Sequence, residues 1–151
     1  MAAAVEAART LSFPFTLTAR AENFLFSRPG LDDTIARLKA FEAVGADVLY
    51  APGLPDIAAI RTVCASVSRP VNVVVGLTGE NYTMAELAEA GVKRISLGST
   101  LSRAALGGFL RAASEIKEHG TFRFVEEAMP FSEANGYMES RPIGARLGQL
   151  D

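Results

Sequence analysis

The sequence predicts a parallel α/β fold in which four short strands alternate with helices. Four apolar runs, at residues 15–19, 48–51, 71–75 and 95–98, are each followed by a stretch whose apolar residues recur at helical spacing. The runs that begin at Val48 and Val71 are apolar almost throughout, which is typical of strands covered on both faces. The chain therefore has about half the βα repeats that a closed eight-stranded barrel needs.

Length and composition indicate one globular domain. The chain has 151 residues, of which 49% are hydrophobic, enough for a substantial core. Its net charge of −2 gives no long-range attraction to nucleic acid or to an anionic membrane, so neither is a predicted partner. The single cysteine, Cys64, has no second cysteine to pair with, and no apolar run approaches the roughly 20 residues of a membrane span. Because residues 1–11 also lack the pattern of a signal peptide, we predict a cytoplasmic location.

The first two predicted helices are bounded by residues with known capping preferences. The first follows Gly30; Asp32 is expected to cap it and Gly45 to end it. The second is expected to begin at Pro55, which suits a first helical position, and to end before Pro70. These boundaries place one helix after each of the first two strands.

The last two predicted helices follow the third and fourth strands. Thr83 and Glu86 have the spacing of a capping box, and Gly91 is expected to end this short helix. The longest helix is predicted over residues 101–118, before Gly120. Beyond it the alternation stops, and residues 128–151 are predicted to form a partly disordered arm. The inward face of the longest helix is predicted to carry Leu101, Ala105, Phe109, Ala112 and Ile116.

Several longer runs resemble a known family. They read FTLTARAENFLF, LDDTIARLKAFEAVGADVLYAPGLPD, RPVNVVVGLTG and GVKRISLGSTLSRAALGGFLRAASEIKEHGTF. As a set they resemble the second half of the barrel of the isocitrate lyase/phosphoenolpyruvate mutase superfamily. By this resemblance, residues 1–127 form half of a (βα)8 TIM-type barrel, four parallel strands with flanking helices, and residues 1–11 form the helix just before them.

The resemblance also implies a chemistry. Members of the superfamily act on small 2-oxo acids, or on their phosphorylated or phosphonate relatives, through a metal-stabilised enolate. Mg²⁺ is the implied cofactor, but the family's metal-binding acidic residues and its mobile loop come from the first half of the barrel. No metal ligand is therefore predicted in this chain. The chain departs from the family at Ala51, Pro52 and Gly53, where some relatives carry a glutamate or histidine, and this counts against carbon–carbon lyase chemistry.

Arg20 and Glu22 are the predicted catalytic residues. Arg20 ends the first strand in the run TARAE, where the resemblance places an arginine that binds a substrate carboxylate or phosphonate. A guanidinium suits such anions because its N–H groups form a planar fork. Glu22 is expected to accept a hydrogen bond from Arg20 or to reach metal-bound water. The alternatives are a structural ion pair between the two residues and a solvated loop carboxylate.

Asn72, Gly98 and Ser99 complete the predicted anion-binding set with Arg20. Asn72 either touches a ligand or hydrogen-bonds a neighbouring strand, and we favour the second interpretation because buried amides usually find such partners. Gly98 and Ser99 precede the longest helix, whose N-terminus favours anions, although a serine before a helix is also an ordinary cap. Tyr50 is either a pocket wall or a core tyrosine whose hydroxyl has a partner.

Two classes of function follow from these observations. The chain is either an enzyme of this superfamily, or a piece of one, or a non-catalytic remnant that binds a small carboxylate, phosphate or phosphonate without a metal site. Half a barrel leaves sheet edges and an inner surface uncovered, so we expect a homo-oligomer or a complement from a missing N-terminal half. Val73 or Val75 would contribute to that contact if either side chain faces the inside of the barrel.

Overall fold

A computed structural model describes residues 1–77 and 81–138. Within these residues the four strands form one parallel sheet in the order β1-β2-β3-β4. The predicted fold, half of a βα barrel with flanking helices, is confirmed. In chain order the elements are α1 (Ala2–Arg9), β1 (Thr18–Arg20), α2 (Leu31–Ala43), β2 (Val48–Tyr50), α3 (Ile57–Ser66), β3 (Val71–Val74), α4 (Met84–Glu89), β4 (Arg94–Ser96), α5 (Thr100–His119), a 3₁₀ helix (Arg123–Glu126) and α6 (Phe131–Met138).

The chain divides into two compact units, Met1–Arg103 and Ala104–Asp151. The first unit contains the sheet and every residue that the sequence predicts for the site. The predicted boundary at residue 127 stays a prediction. Part of the predicted arm is helical over Phe131–Met138, and residues 139–151 lie outside the described residues. No helix of residues 1–77 and 81–138 is long and apolar enough to cross a membrane.

One row of residues crosses the sheet from edge to edge. Arg20 in β1 lies opposite Tyr50 in β2, and Tyr50 lies opposite Asn72 in β3. Asn72 in turn lies opposite Arg94 in β4. Residues directly opposite one another in neighbouring strands point to the same face of a sheet. These four residues, here called the inner row, therefore share one face, which we call the inner face.

The other face of the sheet packs against the helices. Leu49 and Val71, on the two central strands, are buried in one cluster with Leu38 of α2 and Val63 of α3. Burial of each such side chain contributes about 1.5–3 kcal/mol relative to leaving it in water. The core of this unit therefore lies between the sheet and its helices, and the inner face is left for other contacts.

Val73 of β3, and Val75 just beyond the end of that strand, both lie on the helix-facing side of the sheet. Val73 is buried in a second cluster with Ile60 of α3 and Leu87 of α4, and Val75 packs against the same cluster. Neither valine faces the inside of the barrel, the alternative that the sequence left open. Because side chains alternate along a strand, Val74 is the valine on the inner face.

Two predicted helix starts are wrong by one or two residues. The N-cap of α2 is Gly30, which makes no side-chain cap, and Asp32 lies inside the first turn, where its charge favours the positive end of the helix. The N-cap of α3 is Asp56, whose Oδ1 accepts a hydrogen bond from the Ala59 N–H at 2.7 Å. Pro55 therefore precedes the helix, because the carboxylate of Asp56 is the better cap.

The predicted capping box of α4 is confirmed. Thr83 Oγ1 accepts from the Glu86 N–H at 3.2 Å, and Glu86 Oε2 accepts from the Thr83 N–H at 2.8 Å. Gly91 follows the helix with a φ of +97°, and a Cβ there would lie 2.9 Å from the Cβ of Cys64. Glycine is required at this helix end for both its conformation and its small size.

The first strand and the longest helix differ most from prediction. β1 begins at Thr18 rather than at residue 15. Just before it, the Leu17 N–H donates to the Asp47 carboxylate, while the Leu17 carbonyl accepts from the N–H groups of Asp47 and Val48. α5 covers nearly the predicted residues, but none of its side chains is buried, and Phe109 is 68% exposed. The predicted inward face is therefore wrong within the described residues. Helical spacing identifies an apolar stripe without identifying what covers it.

Candidate functional site

Arg20 occupies the C-terminal end of β1 at one end of the inner row. Its side chain is 48% exposed, and its Nη2 lies 2.8 Å from Glu22 Oε1. Its guanidinium carbon also lies 5.0 Å from the centre of the Tyr50 ring, a cation–π distance. The structure thus contains the ion pair that the sequence offered as a structural alternative. Because half of the side chain remains in solvent, an anion can still reach the guanidinium.

Asn72 lies at the centre of the inner face and is only 1% exposed. Its Nδ2 donates to Ser96 Oγ at 3.0 Å, and its Oδ1 accepts from Arg94 Nη1 at 3.1 Å. The favoured interpretation, a buried amide hydrogen-bonded to a neighbouring strand, is confirmed. A guanidinium only donates, so Arg94 fixes which end of the amide carries the oxygen. Asn72 is therefore a rigid floor of the inner face.

Tyr50 connects the two ends of the inner row. Its ring lies beneath Arg20, and its hydroxyl shares a hydrogen bond with Ser96. Burial raises the pKa of Tyr50 above its ordinary value, while the charges of Arg20 and Arg94 act in the opposite direction. The phenol therefore stays protonated near neutral pH. Of the two roles that the sequence left open for Tyr50, the structure supports a hydroxyl with a partner.

The corner formed by Gly98 and Ser99 lies beyond the end of β4. Gly98 has a φ of +53°, and the Ser99 carbonyl accepts from the Arg103 N–H as the first turn of α5 begins. Thr100 Oγ1 donates to the Val75 carbonyl at 3.4 Å, which ties the start of α5 to β3. A cavity of about 140 Å³ lies here. Among the described residues, no recorded hydrogen bond or ion pair joins this corner to Arg20.

A second cavity, of about 650 Å³, lies along the loop between β1 and α2. Asp33 in its wall accepts from Asn23 Nδ2 at 2.5 Å and from Arg37 Nε at 2.7 Å. These two hydrogen bonds hold the pKa of Asp33 below its ordinary value, and the bond from Arg37 has the larger effect. Glu22, the partner of Arg20, also lines this cavity.

The described residues do not fit a magnesium ion. Within residues 1–77 and 81–138, no three or more histidine, cysteine, aspartate or glutamate side chains come together as a metal site. Mg²⁺ requires oxygen ligands in near-octahedral geometry. Glu22 and Asp33 instead engage arginine side chains. We therefore derive no chemical step that passes through a metal.

Arg94 and Ser96 also contact Asn72 on the inner face, and the sequence analysis did not single out either residue. Both alternate with Ile95 in β4, so they fall on the face opposite the core. That alternation was visible in the run RIS, but it acquires meaning only when the register with Asn72 is known. The inner face is thus more polar than an apolar barrel interior.

Comparison with known proteins identifies close relatives of the chain. Residues 1–117 match the family model described as Phosphoenolpyruvate phosphomutase. A crystal structure from Burkholderia cenocepacia J2315, described as a lyase/mutase, is 56% identical with a TM-score of 0.88, over 92% of this chain and 50% of that one. Another from the same organism, described as a phosphonomutase, is 37% identical with a TM-score of 0.66, over 76% of this chain and 47% of that one.

A more distant likeness concerns the fold alone. A phosphonopyruvate hydrolase in complex with oxalate and Mg²⁺ is 23% identical with a TM-score of 0.70, over 96% of this chain and 54% of that one. The chain spans about half the length of these solved structures. A search of curated proteins found no match to it.

Proposed function

The chain belongs to the phosphoenolpyruvate mutase/isocitrate lyase superfamily, and from that membership we propose that its inner face binds a small 2-oxo acid or a phosphorylated or phosphonate relative. The Arg20 guanidinium binds the carboxylate or phosphonate group. The observation that carries this proposal is the placement of Arg20 at a strand's C-terminal end, half exposed and held over Tyr50. Catalytic and binding groups of βα barrels gather at that end of the strands.

Glu22 has a second role in the proposal. Its side chain is 37% exposed, and its Oε1 lies 2.8 Å from Arg20 Nη2. An incoming anion competes with Glu22 for the guanidinium. Because both side chains are partly solvated, this ion pair contributes little to stability, and an anionic ligand can displace Glu22 at small cost.

Asn72, Gly98 and Ser99 are proposed to complete the binding surface. Asn72 is already committed to Ser96 and Arg94, so it supports the floor of the site. Ser99 and the first N–H groups of α5 offer hydrogen-bond donors to a second part of the ligand. The phosphonopyruvate hydrolase complex with oxalate supports a small carboxylate as the ligand class.

The proposal also covers the metal, the cellular location and the oligomeric state. We propose a Mg²⁺-dependent enolate reaction for a complete barrel of this family, since one relative in the fold is complexed with Mg²⁺. We also propose a cytoplasmic location and a homo-oligomer, or a complex with a complementary half barrel. The exposed apolar residues of α5 support association.

A second candidate is a non-catalytic module that binds a carboxylate or phosphate. The observation that favours it is that residues 1–77 and 81–138 bring together no metal-binding group of side chains, while the cationic inner face is retained. Both candidates require anion binding by Arg20. They differ only in whether turnover follows.

Calorimetric titration with oxalate tests the proposal. We expect the wild-type chain to bind oxalate with a Kd of about 1 mM or weaker, and Arg20→Ala to abolish this binding, because the charged fork is lost. Arg61→Gln is the matched control, since Arg61 is exposed on α3 and carries the same charge. Equal binding by wild type and Arg20→Ala would remove Arg20 from the site.

A further inference from the structure

We propose that Arg94 is a second anion-binding cation of the inner face, so that Arg20 and Arg94 together select ligands with two anionic groups. The ligand class would be a small dicarboxylate or a phosphonocarboxylate. This inference rests on the proposed function, because it assumes that Arg20 binds one of the two groups. It adds a specificity-determining residue that the resemblance did not supply.

The two arginines lie on the same face of the sheet. They stand at opposite ends of the inner row, where Arg20 is the last residue of β1 and Arg94 is the first residue of β4, the two edge strands of the sheet. Both side chains contact residues of the two central strands: Arg20 lies over the Tyr50 ring, and Arg94 Nη1 donates to Asn72 Oδ1. Because Tyr50 and Asn72 are register partners, the two cationic groups are held over neighbouring positions of the same face.

The charge of Arg94 is not neutralised by any carboxylate of the described residues. The ion pairs among residues 1–77 and 81–138 join Arg9 to Asp47, Arg20 to Glu22 and Arg37 to Asp33. Arg94 instead bonds the neutral amide of Asn72 through one nitrogen. A guanidinium carries several N–H donors, so most of those of Arg94 remain for a ligand. Its side chain is exposed, and a ligand can therefore reach it.

Arg94 is held in place by its hydrogen bond to Asn72. Its contact, Asn72, is almost completely buried and is itself fixed by the hydrogen bond to Ser96. A guanidinium anchored on a rigid amide loses less conformational freedom when it binds an anion. The arrangement therefore favours binding through Arg94 over a solvated surface arginine such as Arg61.

A merely structural role for Arg94 makes a different prediction. If its only task were to orient the Asn72 amide, its removal would weaken all ligands equally. If it instead paired with a carboxylate of another copy of the chain, its removal would change self-association. The proposal alone predicts that removal of Arg94 weakens doubly charged ligands more than singly charged ones.

The experiment is a calorimetric comparison of malonate and succinate with propionate on the full chain. We expect wild type to bind at least one dicarboxylate about tenfold or more tightly than propionate, the gain of one charge-assisted contact. Arg94→Gln is expected to reduce this ratio to about twofold or less, and Arg94→Lys to retain an intermediate ratio because it keeps the charge without the fork. Arg61→Gln should keep the wild-type ratio.

The outcomes distinguish this inference from the proposed function. If Arg94→Gln and Arg94→Lys both keep the wild-type ratio while Arg20→Ala abolishes binding, the inference is overturned and the proposed function stands. The inference is likewise overturned if Arg94→Gln changes light scattering but not the ratio. If wild type binds none of the anions, both fail.

Discussion

At the scale of single residues, Arg20 is shared between Glu22, Tyr50 and the proposed ligand. The ion pair to Glu22 and the ring of Tyr50 hold the guanidinium in position at the end of β1. The same ion pair must open, or at least weaken, before an external carboxylate can take its place. Under the proposed function, Glu22 therefore lowers the affinity of Arg20 for an anion by competing for the guanidinium.

Replacing Glu22 with Gln is expected to strengthen oxalate binding. The amide no longer competes as an anion, so affinity should rise by up to about fivefold, the range expected for a partly exposed ion pair. Calorimetry of wild type and Glu22→Gln measures the change, with Glu89→Gln as a matched control on α4. A loss of oxalate binding in Glu22→Gln would instead assign Glu22 a direct contact with the ligand.

Sequence reasoning at this scale succeeded where chemistry and strand position agree. It favoured a hydrogen-bonded Asn72, which the structure confirms, and it offered the Arg20–Glu22 ion pair only as the alternative to anion binding. It missed Arg94, because the contact of Arg94 with the inner face depends on its lying opposite Asn72 in β3. Strand register is a property of the assembled sheet, and a single strand's sequence specifies it only weakly.

At the scale of elements, α1 is joined to the start of β2 by a pair of charged residues. Arg9 Nη2 lies 2.6 Å from Asp47 Oδ1, and Arg9 also donates to the Gly45 carbonyl at 3.1 Å. Asp47 Oδ2 accepts from the Leu17 N–H at 2.8 Å, just before β1. The Asp47 carboxylate thus connects α1, the start of β2 and the segment just before β1.

The stability of this junction is expected to depend on pH. The hydrogen bond from Arg9, followed by that from Leu17, holds the pKa of Asp47 below its ordinary value. The folded carboxylate is therefore favoured at any pH above the unfolded pKa of about 4, and its contribution is lost as pH falls through the lower folded pKa. Asp47→Asn should accordingly destabilise the chain near neutral pH.

Chemical denaturation of wild type and Asp47→Asn between neutral and acidic pH measures this contribution. The difference in their free energies of unfolding should be greatest near neutral pH and shrink below about pH 4. Glu89→Gln serves as the control for loss of an exposed carboxylate. A difference that stays constant across this range would show that Asp47 acts without its charge.

Element boundaries were predictable where the capping chemistry is local. Thr83 and Glu86 lie three residues apart and form their capping box within one turn. The start of β1 was not predictable, because Asp47 takes the Leu17 N–H from a distant part of the chain. The misassigned starts of α2 and α3 reflect competition among neighbouring cap residues, which sequence preference alone does not resolve.

At the scale of the whole molecule, the second unit exposes much of its apolar surface. Phe109 of α5, Phe131 of α6 and Val125 between them are 68%, 88% and 59% exposed. Monomeric proteins rarely leave large contiguous apolar patches in water. The sequence predicted the apolar stripe of α5 but placed it against the core, because periodicity does not report which surface covers a stripe.

We expect the purified chain to form a dimer or larger species in light scattering at micromolar concentration. Phe109→Asp should reduce its apparent mass, since a carboxylate in an apolar contact is costly to bury. Ala58→Asp, on the exposed side of α3, is the matched control for added charge. A monomeric wild-type chain across this range would show that the exposed residues of α5 do not mediate association.

The inner face of this half barrel is proposed to bind anions through Arg20, and a crystal structure of the chain with oxalate would show this contact. We expect electron density for oxalate on the inner face, with a carboxylate oxygen within hydrogen-bond distance of the Arg20 guanidinium and the Glu22 ion pair opened or lengthened. Oxalate bound away from Arg20, with the Glu22 pair intact, would contradict it.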